Sequence, residues 1–409
     1  MTQGDDSGSA GTASAAGTRG TGVRGAEGDA PTYDGGTRLR GLNPRRPFAV
    51  VGRFLHELMF SIGPGKSDPA AALRVAAGLF LPLATVALLG RLDLAIFANF
   101  AAFTGIYGRG EPHRVRFVAQ ARAGLLMVAV IFTAELLARL NPDGAPSPWA
   151  IVVGTTFVAW LCSFIVARWR LRPAGSLFYI FAFAAVSSLP HQPPLGDVVV
   201  VVASTFVLCL AIGLAARVLP SHRTPLGWRE IRAAGRVRLG ATERRVLGLE
   251  SIGYLVAPAI AGAAATAVGK ALGFGHNYWA MVAAVVPLVG HSTRHRVNRG
   301  LQRVLGTVVG LVLLAGIAAL RPAPWIMVLL ITACQFGAEM LITRHYFLAM
   351  VCVTPLALLS TLLAAHTDPG ALLHDRFIDT AIGAGVGVLV VLAPTAYRHW
   401  AARRADVRS

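Results

Sequence analysis

The sequence predicts an all-α polytopic membrane protein with about twelve transmembrane helices, arranged as two parallel six-helix repeats. Three observations predict this fold class: the composition, a series of apolar segments, and the distribution of arginine between them. The chain is 55% hydrophobic and 14% charged, with a mean hydropathy of +0.59. Soluble domains carry about 25% charged residues, so this composition is typical of a chain that crosses a bilayer repeatedly.

The two ends of the chain and its middle differ from the apolar remainder. Residues 1–45 are rich in Gly, Ala, Ser and Thr and lack the apolar core of a signal peptide, which predicts a disordered cytosolic tail. Residues 46–70 mix apolar and basic residues, and we expect an interfacial helix there. Residues 218–250 predict a basic cytosolic linker, and residues 396–409 a cytosolic tail.

Apolar segments fill the two predicted halves, 72–217 and 252–395. Most of them approach the ~20 residues that an α-helix needs to cross the hydrocarbon core. Two, 94–108 and 278–291, are shorter, and we expect them to be short, tilted or partly re-entrant. The predicted spans are 72–90, 94–108, 118–138, 149–167, 174–190 and 197–217, followed by 252–272, 278–291, 302–320, 323–342, 346–365 and 377–395.

Arginine is concentrated in every second connection between these segments. Such an excess marks connections that remain in the cytosol. The pattern therefore predicts a multi-pass protein of the plasma membrane with both termini in the cytosol. It also accounts for the net charge of +18, so we predict no nucleic-acid partner. The arginines that define the rich connections are Arg109, Arg114, Arg116 and Arg122, then Arg168, Arg170 and Arg172, then Arg294, Arg296, Arg299 and Arg303.

Similar residues recur in the two halves of the chain. The run His113-Arg114-Val115 corresponds to His295-Arg296-Val297, and Gln120 with Arg122 corresponds to Gln302-Arg303. Each half contains an even number of predicted spans, so the halves have the same orientation and form a parallel repeat. Repeats of this kind usually enclose a site or path on the axis that relates them.

A series of motifs occurs in order over about residues 275–390. They are Tyr278-Trp279, Arg303 before Gly306-Thr307 and Gly310, Arg344 before Tyr346, Thr354-Pro355, and Arg376 before Asp379-Thr380 and Gly383. In these motifs the second half resembles the fusaric acid resistance (FUSC)-like family, which includes bacterial aromatic acid exporters. Plant aluminium-activated malate transporters are similar to the same family at a greater distance.

This resemblance implies a transporter for efflux of small organic or aromatic anions across the plasma membrane. The resemblance to malate transporters suggests an anion channel as an alternative. A third hypothesis is a non-transporting scaffold that binds lipid or a partner through its basic linker. The expected partners are membrane lipids and a small organic anion, with a homo-oligomer left open. No enzyme, cofactor or metal site is predicted.

Ionisable and polar residues within the spans are candidates for a substrate path or gate, because burying them in a bilayer is costly. Glu339 is predicted either to accept a proton or to form a structural ion pair with Arg344 nearby. Arg303 and Arg122 lie at the entries of two spans. There they would either attract an anion at the cytosolic mouth or extend to lipid phosphates. Polar side chains that would line a path are Asn99 and Thr307.

Glycines at a spacing of four residues occur in two apolar segments. Gly306 with Gly310 and Gly383 with Gly387 form this GxxxG pattern. The pattern favours close helix packing, with a flexible pore segment as the alternative.

Overall fold

The computed structural model describes residues 65, 68–140, 146–189, 192–215, 229, 240–273, 278–290, 292–364 and 368–406. All of them belong to one compact unit, Arg53–Ser409. The predicted tail at 1–45 lies outside the described residues, as do most of the predicted interfacial helix and most of the predicted linker. Every regular element within the described residues is a helix.

Six helices form the first half. Local signals explain where several of them begin: Asp68 and Ser147 cap their helices by accepting from the backbone N–H of Ala71 and Ala150, and a proline occupies the first turn of each. The elements are α1 (Pro69–Leu88), α2 (Leu92–Ile106), α3 (His113–Arg139), α4 (Pro148–Arg168), α5 (Leu177–Ser187) and α6 (Leu195–Leu214).

Six further helices form the second half. Its first helix begins within the predicted linker, and its last continues into the predicted C-terminal tail. The elements are α7 (Ala241–Leu272), α8 (Tyr278–Leu288), α9 (Thr293–Ala319), α10 (Pro324–Leu341), α11 (Tyr346–Ala364) and α12 (Pro369–Asp406).

Nine of the described helices are long and apolar enough to cross a membrane, and α2, α5 and α8 are shorter. The protein is thus an integral membrane protein with many spans, and twelve full crossings are not confirmed. Two of the short helices fall at 94–108 and 278–291, where the sequence predicts short segments. The third is a correction, because the predicted span at 174–190 contains a helix only from Leu177 to Ser187. Ser188 and Pro190 follow this helix, and neither favours its continuation.

The three short helices lie in the interior. All eight residues of Ala95–Ala102 in α2 are buried, and so are all seven residues of Tyr278–Ala284 in α8. In α5 nine residues from Tyr179 to Ser187 are buried. A helix that ends within a membrane leaves unpaired backbone groups, which are tolerated only where protein surrounds them. Enclosure by the longer helices meets this requirement.

Helix packing follows a regular pattern. In the first half α1 packs on α2 and α6, α2 on α6, α3 on α5 and α6, and α4 on α5. In the second half α7 packs on α8 and α12, α8 on α12, α9 on α11 and α12, and α10 on α11. The halves meet along an α1–α10 seam and an α4–α7 seam. Among the short helices, α5 contacts α8, and α2 contacts α11.

Candidate functional site

The inward face of α12 carries two acids and an arginine within the membrane-spanning region. Asp375, Arg376, Asp379 and Thr380 are spaced so that they share one side of the helix. Their exposed fractions are 3%, 1%, 2% and 1%. Arg376 lies seven residues after the start of α12, about 10 Å along the axis. The charges are therefore well inside the span, where ionisable groups are costly and usually functional.

Arg376 is held against an aromatic ring of α8. Its guanidinium carbon lies 3.8 Å from the centroid of the Trp279 indole, a cation–π contact in a fully buried setting. The Nε and Nη1 atoms of Arg376 make no hydrogen bond within the described protein. Because buried donors are nearly always paired in folded proteins, these two atoms are available to a ligand.

Asp379 connects α12 to the first turn of α8. Its carboxylate accepts from the backbone N–H groups of Trp279 and Ala280, while Oδ2 has no hydrogen-bond partner among the described residues. These N–H groups have no partner within their own helix because they belong to its first turn. The side chains of Tyr278 and Thr361 are also hydrogen-bonded to each other. The arrangement fixes α8 relative to the charged face of α12.

Arg303 on α9 completes the charged group. Its side chain is 2% exposed, and it lies ten residues, or about 15 Å, after the start of α9. It interacts electrostatically with Arg376. Its Nη1 is 3.6 Å from the sulfur of Met350, and its Nε has no hydrogen-bond partner among the described residues. Burial excludes the predicted alternative in which Arg303 extends to lipid phosphates. We refer to Asp375, Arg376, Asp379 and Arg303 as the central charge cluster.

Aromatic rings of the first half extend to this cluster. The ring of Phe181 on α5 lies 4.7 Å from that of Trp279, and the rings of Phe181 and Phe100 are 4.8 Å apart at 83°. Phe100 in turn contacts Phe103 edge to face, with centroids 5.6 Å apart. A series of buried aromatic rings therefore runs from α2 through α5 to the indole that supports Arg376.

Glu339 has a different partner from the predicted one. Its Oε2 accepts from Nη1 of Arg109 at 2.9 Å, and its Oε1 accepts from Nε2 of Gln335 at 3.1 Å. Arg344 is exposed in the turn that follows α10. The predicted pairing of Glu339 with Arg344 is therefore wrong. Arg109 precedes α3 in the first half, so the ion pair joins the two halves near the α1–α10 seam.

The remaining predicted polar residues occupy separate places. Thr307 is 1% exposed, one turn after Arg303 on α9, and its hydroxyl has no hydrogen-bond partner among the described residues. Asn99 is buried in α2, within the first half. Arg122 is half-buried, with its guanidinium 5.4 Å from the Trp169 ring. Only Arg303 and Thr307 lie at or beside the central charge cluster.

The four predicted packing glycines lie where helices approach closely. A Cβ added to Gly306 would lie 2.7 Å from the carbonyl oxygen of Phe347, and one added to Gly310 would lie 2.7 Å from Cβ of Thr354. Both contacts are with α11. Side chains at Gly383 and Gly387 would overlap the carbonyl oxygens of Ala280 and Ala284 on α8. These two glycines continue the charged face of α12, so they hold α8 next to the cluster.

A pocket of about 510 Å³ opens at the α4–α7 seam. Its polar lining comes from Ser163, Glu250, Tyr254 and Arg296, and its apolar lining includes Leu288 and residues of α12. Arg296 is occupied, since its Nε donates to the Gly290 carbonyl at 2.7 Å and its Nη2 is 3.9 Å from Glu250. The pocket is large enough for a small ligand, but its one arginine is already engaged.

Asp375, Arg376 and Asp379 are not among the site residues that the sequence predicts. Arg376 lies just before the predicted span 377–395, although it also belongs to the residues that carry the family resemblance. The sequence does contain a signal for this site. Two acids lie four residues apart, an arginine follows the first of them, and two glycines continue the same face of the helix. That spacing places all the charges on one side of a helix. The role of Arg109 had no such signal, because its partner is 230 residues away.

Comparison with known proteins supports the resemblance in the second half. Residues 263–390 match the family described as fusaric acid resistance protein-like. A stretch of 128 residues is 34% identical to the "Uncharacterized membrane protein YvaC" of Bacillus subtilis (strain 168). That stretch is 31% of this chain and 20% of the relative, so the chain spans only a small part of it. No solved structure matches the chain.

The fold and these matches define the class: an integral membrane protein whose residues 263–390 are similar to the fusaric acid resistance protein-like family. The matched region contains every residue of the central charge cluster, together with Trp279 and the glycines that position α8.

Proposed function

We propose that the protein is a transporter that exports small organic anions, aromatic acids in particular, across the plasma membrane. The central charge cluster carries the proposal. An arginine buried in a membrane span, with two donors free for a ligand, is costly unless function requires it. Its charged, planar guanidinium suits a carboxylate, which can accept a charge-assisted hydrogen bond from either free donor.

The surroundings of Arg376 support an aromatic substrate. Trp279 already covers one face of the guanidinium, and the rings of Phe181 and Phe100 continue from it. An aromatic acid would place its carboxylate against Arg376 and Arg303 and its ring among these side chains. Ring–ring and ring–guanidinium contacts of this kind favour aromatic over aliphatic ligands.

We further propose that the two halves are a parallel repeat, with the site where they meet. The first-half helix contacts described above each have a counterpart six elements later, and the two seams correspond in the same way. This packing supports the repeat that similar residues predict. Sites between repeated halves are common in transporters, where one half moves against the other around bound substrate. The arginine-rich connections support cytosolic termini and a plasma-membrane location.

The test is efflux from liposomes that contain the purified protein. The liposomes are loaded with one labelled carboxylate each, either aromatic (benzoate, hydroxybenzoate) or aliphatic (acetate, succinate). Release is measured with and without a pH gradient. We expect saturable release that favours the aromatic anions, unchanged in the control variant Arg321→Gln, which alters an exposed arginine after α9.

Two results would contradict the proposal. Flux that follows the membrane potential and does not saturate would identify an anion channel instead. No flux of any anion, from protein that elutes as a single folded species, would leave only the scaffold hypothesis.

A further inference from the structure

The central charge cluster is formally neutral when all of its groups are ionised. Arg303 and Arg376 contribute two positive charges, and Asp375 and Asp379 contribute two negative ones. All four are at most 3% exposed, so water does not screen them. A low-dielectric interior strongly penalises any net charge left in it. An anion that binds Arg376 would create such a charge.

One proton would restore neutrality, and only some groups can accept it. Arginine remains protonated in proteins, so the positive side cannot adjust. The charged and titratable groups that interact with Arg376 and Asp379 are Asp375 on α12, Arg303 on α9 and Tyr278 on α8. Of the anionic groups, the two aspartates are therefore the proton acceptors.

The hydrogen bonds distinguish Asp379 as a suitable acceptor. The backbone N–H groups of Trp279 and Ala280 bind its carboxylate, and Oδ2 has no hydrogen-bond partner among the described residues. A proton on Oδ2 leaves the other oxygen free to accept from these N–H groups as before. Asp379 can thus change charge without loss of its contact with α8.

We propose that Asp379 is the proton-binding site of this protein and takes up one proton when a carboxylate binds Arg376. The inference rests on the proposed function. No covalent bond changes: the anion enters from solution, one proton comes from solvent, and Asp379 becomes a neutral carboxylic acid. The anion and the proton then occupy the site together, so the loaded site carries no net charge. Binding of either one strengthens binding of the other.

The experiment is calorimetric titration of the full-length protein in detergent with benzoate. Titrations at one pH in buffers of different ionisation enthalpy give the number of protons taken up per benzoate. We expect about one for wild type and near zero for Asp379→Asn, which retains an oxygen to accept from α8. At pH values at which Asp379 is ionised in the free protein, the affinity of the wild-type protein for benzoate should rise about tenfold for each unit by which the pH is lowered.

The matched control is Asp197→Asn, the same change at an exposed acid that begins α6 and pairs with Arg91. It should keep proton uptake at the wild-type value. Benzoate binding without proton uptake in wild type would overturn the inference and leave the proposed function intact. Uptake that persists in Asp379→Asn and disappears in Asp375→Asn would overturn the assignment to Asp379. No binding of benzoate by folded protein would overturn the proposed site as well.

Discussion

Two buried arginines, Arg116 in the first half and Arg376 in the second, illustrate two uses of charge in this membrane protein. Arg116 donates to the carbonyls of Gly108, Gly213 and Glu111 at 3.3, 3.1 and 2.8 Å, so each of its nitrogens has a backbone partner. It lies near the start of α3. Arg376 lies seven residues after the start of α12, with two nitrogens unpartnered within the described protein. The first arginine connects backbone segments, and the second is available to a ligand.

The two halves also differ in the side chains that they contribute to the interior around α5 and α8. The first half contributes aromatic rings, and the second half contributes the charges and the indole on which Arg376 rests. Asp197 and Asp379 lie near the starts of α6 and α12, and they differ in exposure and in pairing. Asp197 is exposed and paired with Arg91 at 2.7 Å, whereas Asp379 is buried. Similar helix packing therefore supports different interior chemistry.

The largest expected effect separates the two arginines. Arg376→Gln should lower the rate of anion efflux by about 100-fold or more, because the buried positive charge and its charge-assisted hydrogen bond to the anion are lost. Arg376→Lys retains the charge but not the planar fork, and about a tenfold loss is expected. Both rates are measured in liposomes, after size-exclusion chromatography shows a single folded species.

Arg116→Gln should produce the opposite result. Loss of its donors leaves buried carbonyls unpaired, so the free energy of unfolding should fall by about 2–4 kcal/mol. The affinity of the protein that remains folded should stay close to that of wild type. Thermal unfolding and benzoate titration measure the two quantities. A large fall in affinity with unchanged stability would mean that Arg116 belongs to the binding site.

The next effect compares two arginines that lie at the entries of spans in the two halves. Arg303→Gln should weaken benzoate binding by about tenfold, because it removes one of two positive charges near the bound anion. Arg122→Gln alters an arginine on Trp169 in the first half and should change affinity by less than about threefold. Titration of both variants checks the difference. Equal losses would imply that charges in both halves contact the substrate.

A smaller effect tests which half recognises the aromatic ring. Phe181→Leu should lower the preference for benzoate over acetate about fivefold, since the ring contact is worth about 1 kcal/mol. Trp279→Leu should weaken both anions, because it also removes the support of Arg376. Competition between the two anions in the efflux assay gives the ratio. An unchanged preference for benzoate over acetate in Phe181→Leu would mean that the ring of the substrate does not contact Phe181.

The smallest effect concerns the ion pair between the halves. A double-mutant cycle with Arg109→Gln and Glu339→Gln should give a coupling of about 1–2 kcal/mol, because both side chains are largely buried. The exposed Arg91–Asp197 pair should give a smaller coupling, since exposed ion pairs contribute little. Thermal stability of the four variants in each cycle provides the measurement. A coupling of zero between Arg109 and Glu339 would mean that this ion pair does not stabilise the contact between the halves.

Much of the fold follows from local sequence features. Apolar length predicted the long helices, and the brevity of 94–108 and 278–291 indicated two of the three short ones. The extent of α5 differs from the predicted span because 174–190 also includes Gly175 and Ser176 before the helix and Ser188 and Pro190 after it. Enclosure of these helices depends on contacts between distant segments. Such contacts leave no periodic signal in one chain.

The candidate site was less predictable than the fold. Arg303 and Thr307 were identified, because polar residues inside apolar helices are visible in a sequence. The cation–π contact between Arg376 and Trp279 joins residues almost a hundred positions apart. The Arg109–Glu339 pair joins residues 230 positions apart. Neither pairing has a sequence signal, since each depends on how the helices pack.

A structure determined with 4-bromobenzoate would test the central claim most directly, because the anomalous signal of bromine locates the ligand. We predict a carboxylate within hydrogen-bonding distance of an unpartnered donor of Arg376, Nε or Nη1, and a bromine near the rings of Phe181 and Phe100. A ligand in the pocket of the α4–α7 seam, beside Arg296 and Tyr254, would contradict the account. It would identify the seam, and not the central charge cluster, as the anion site.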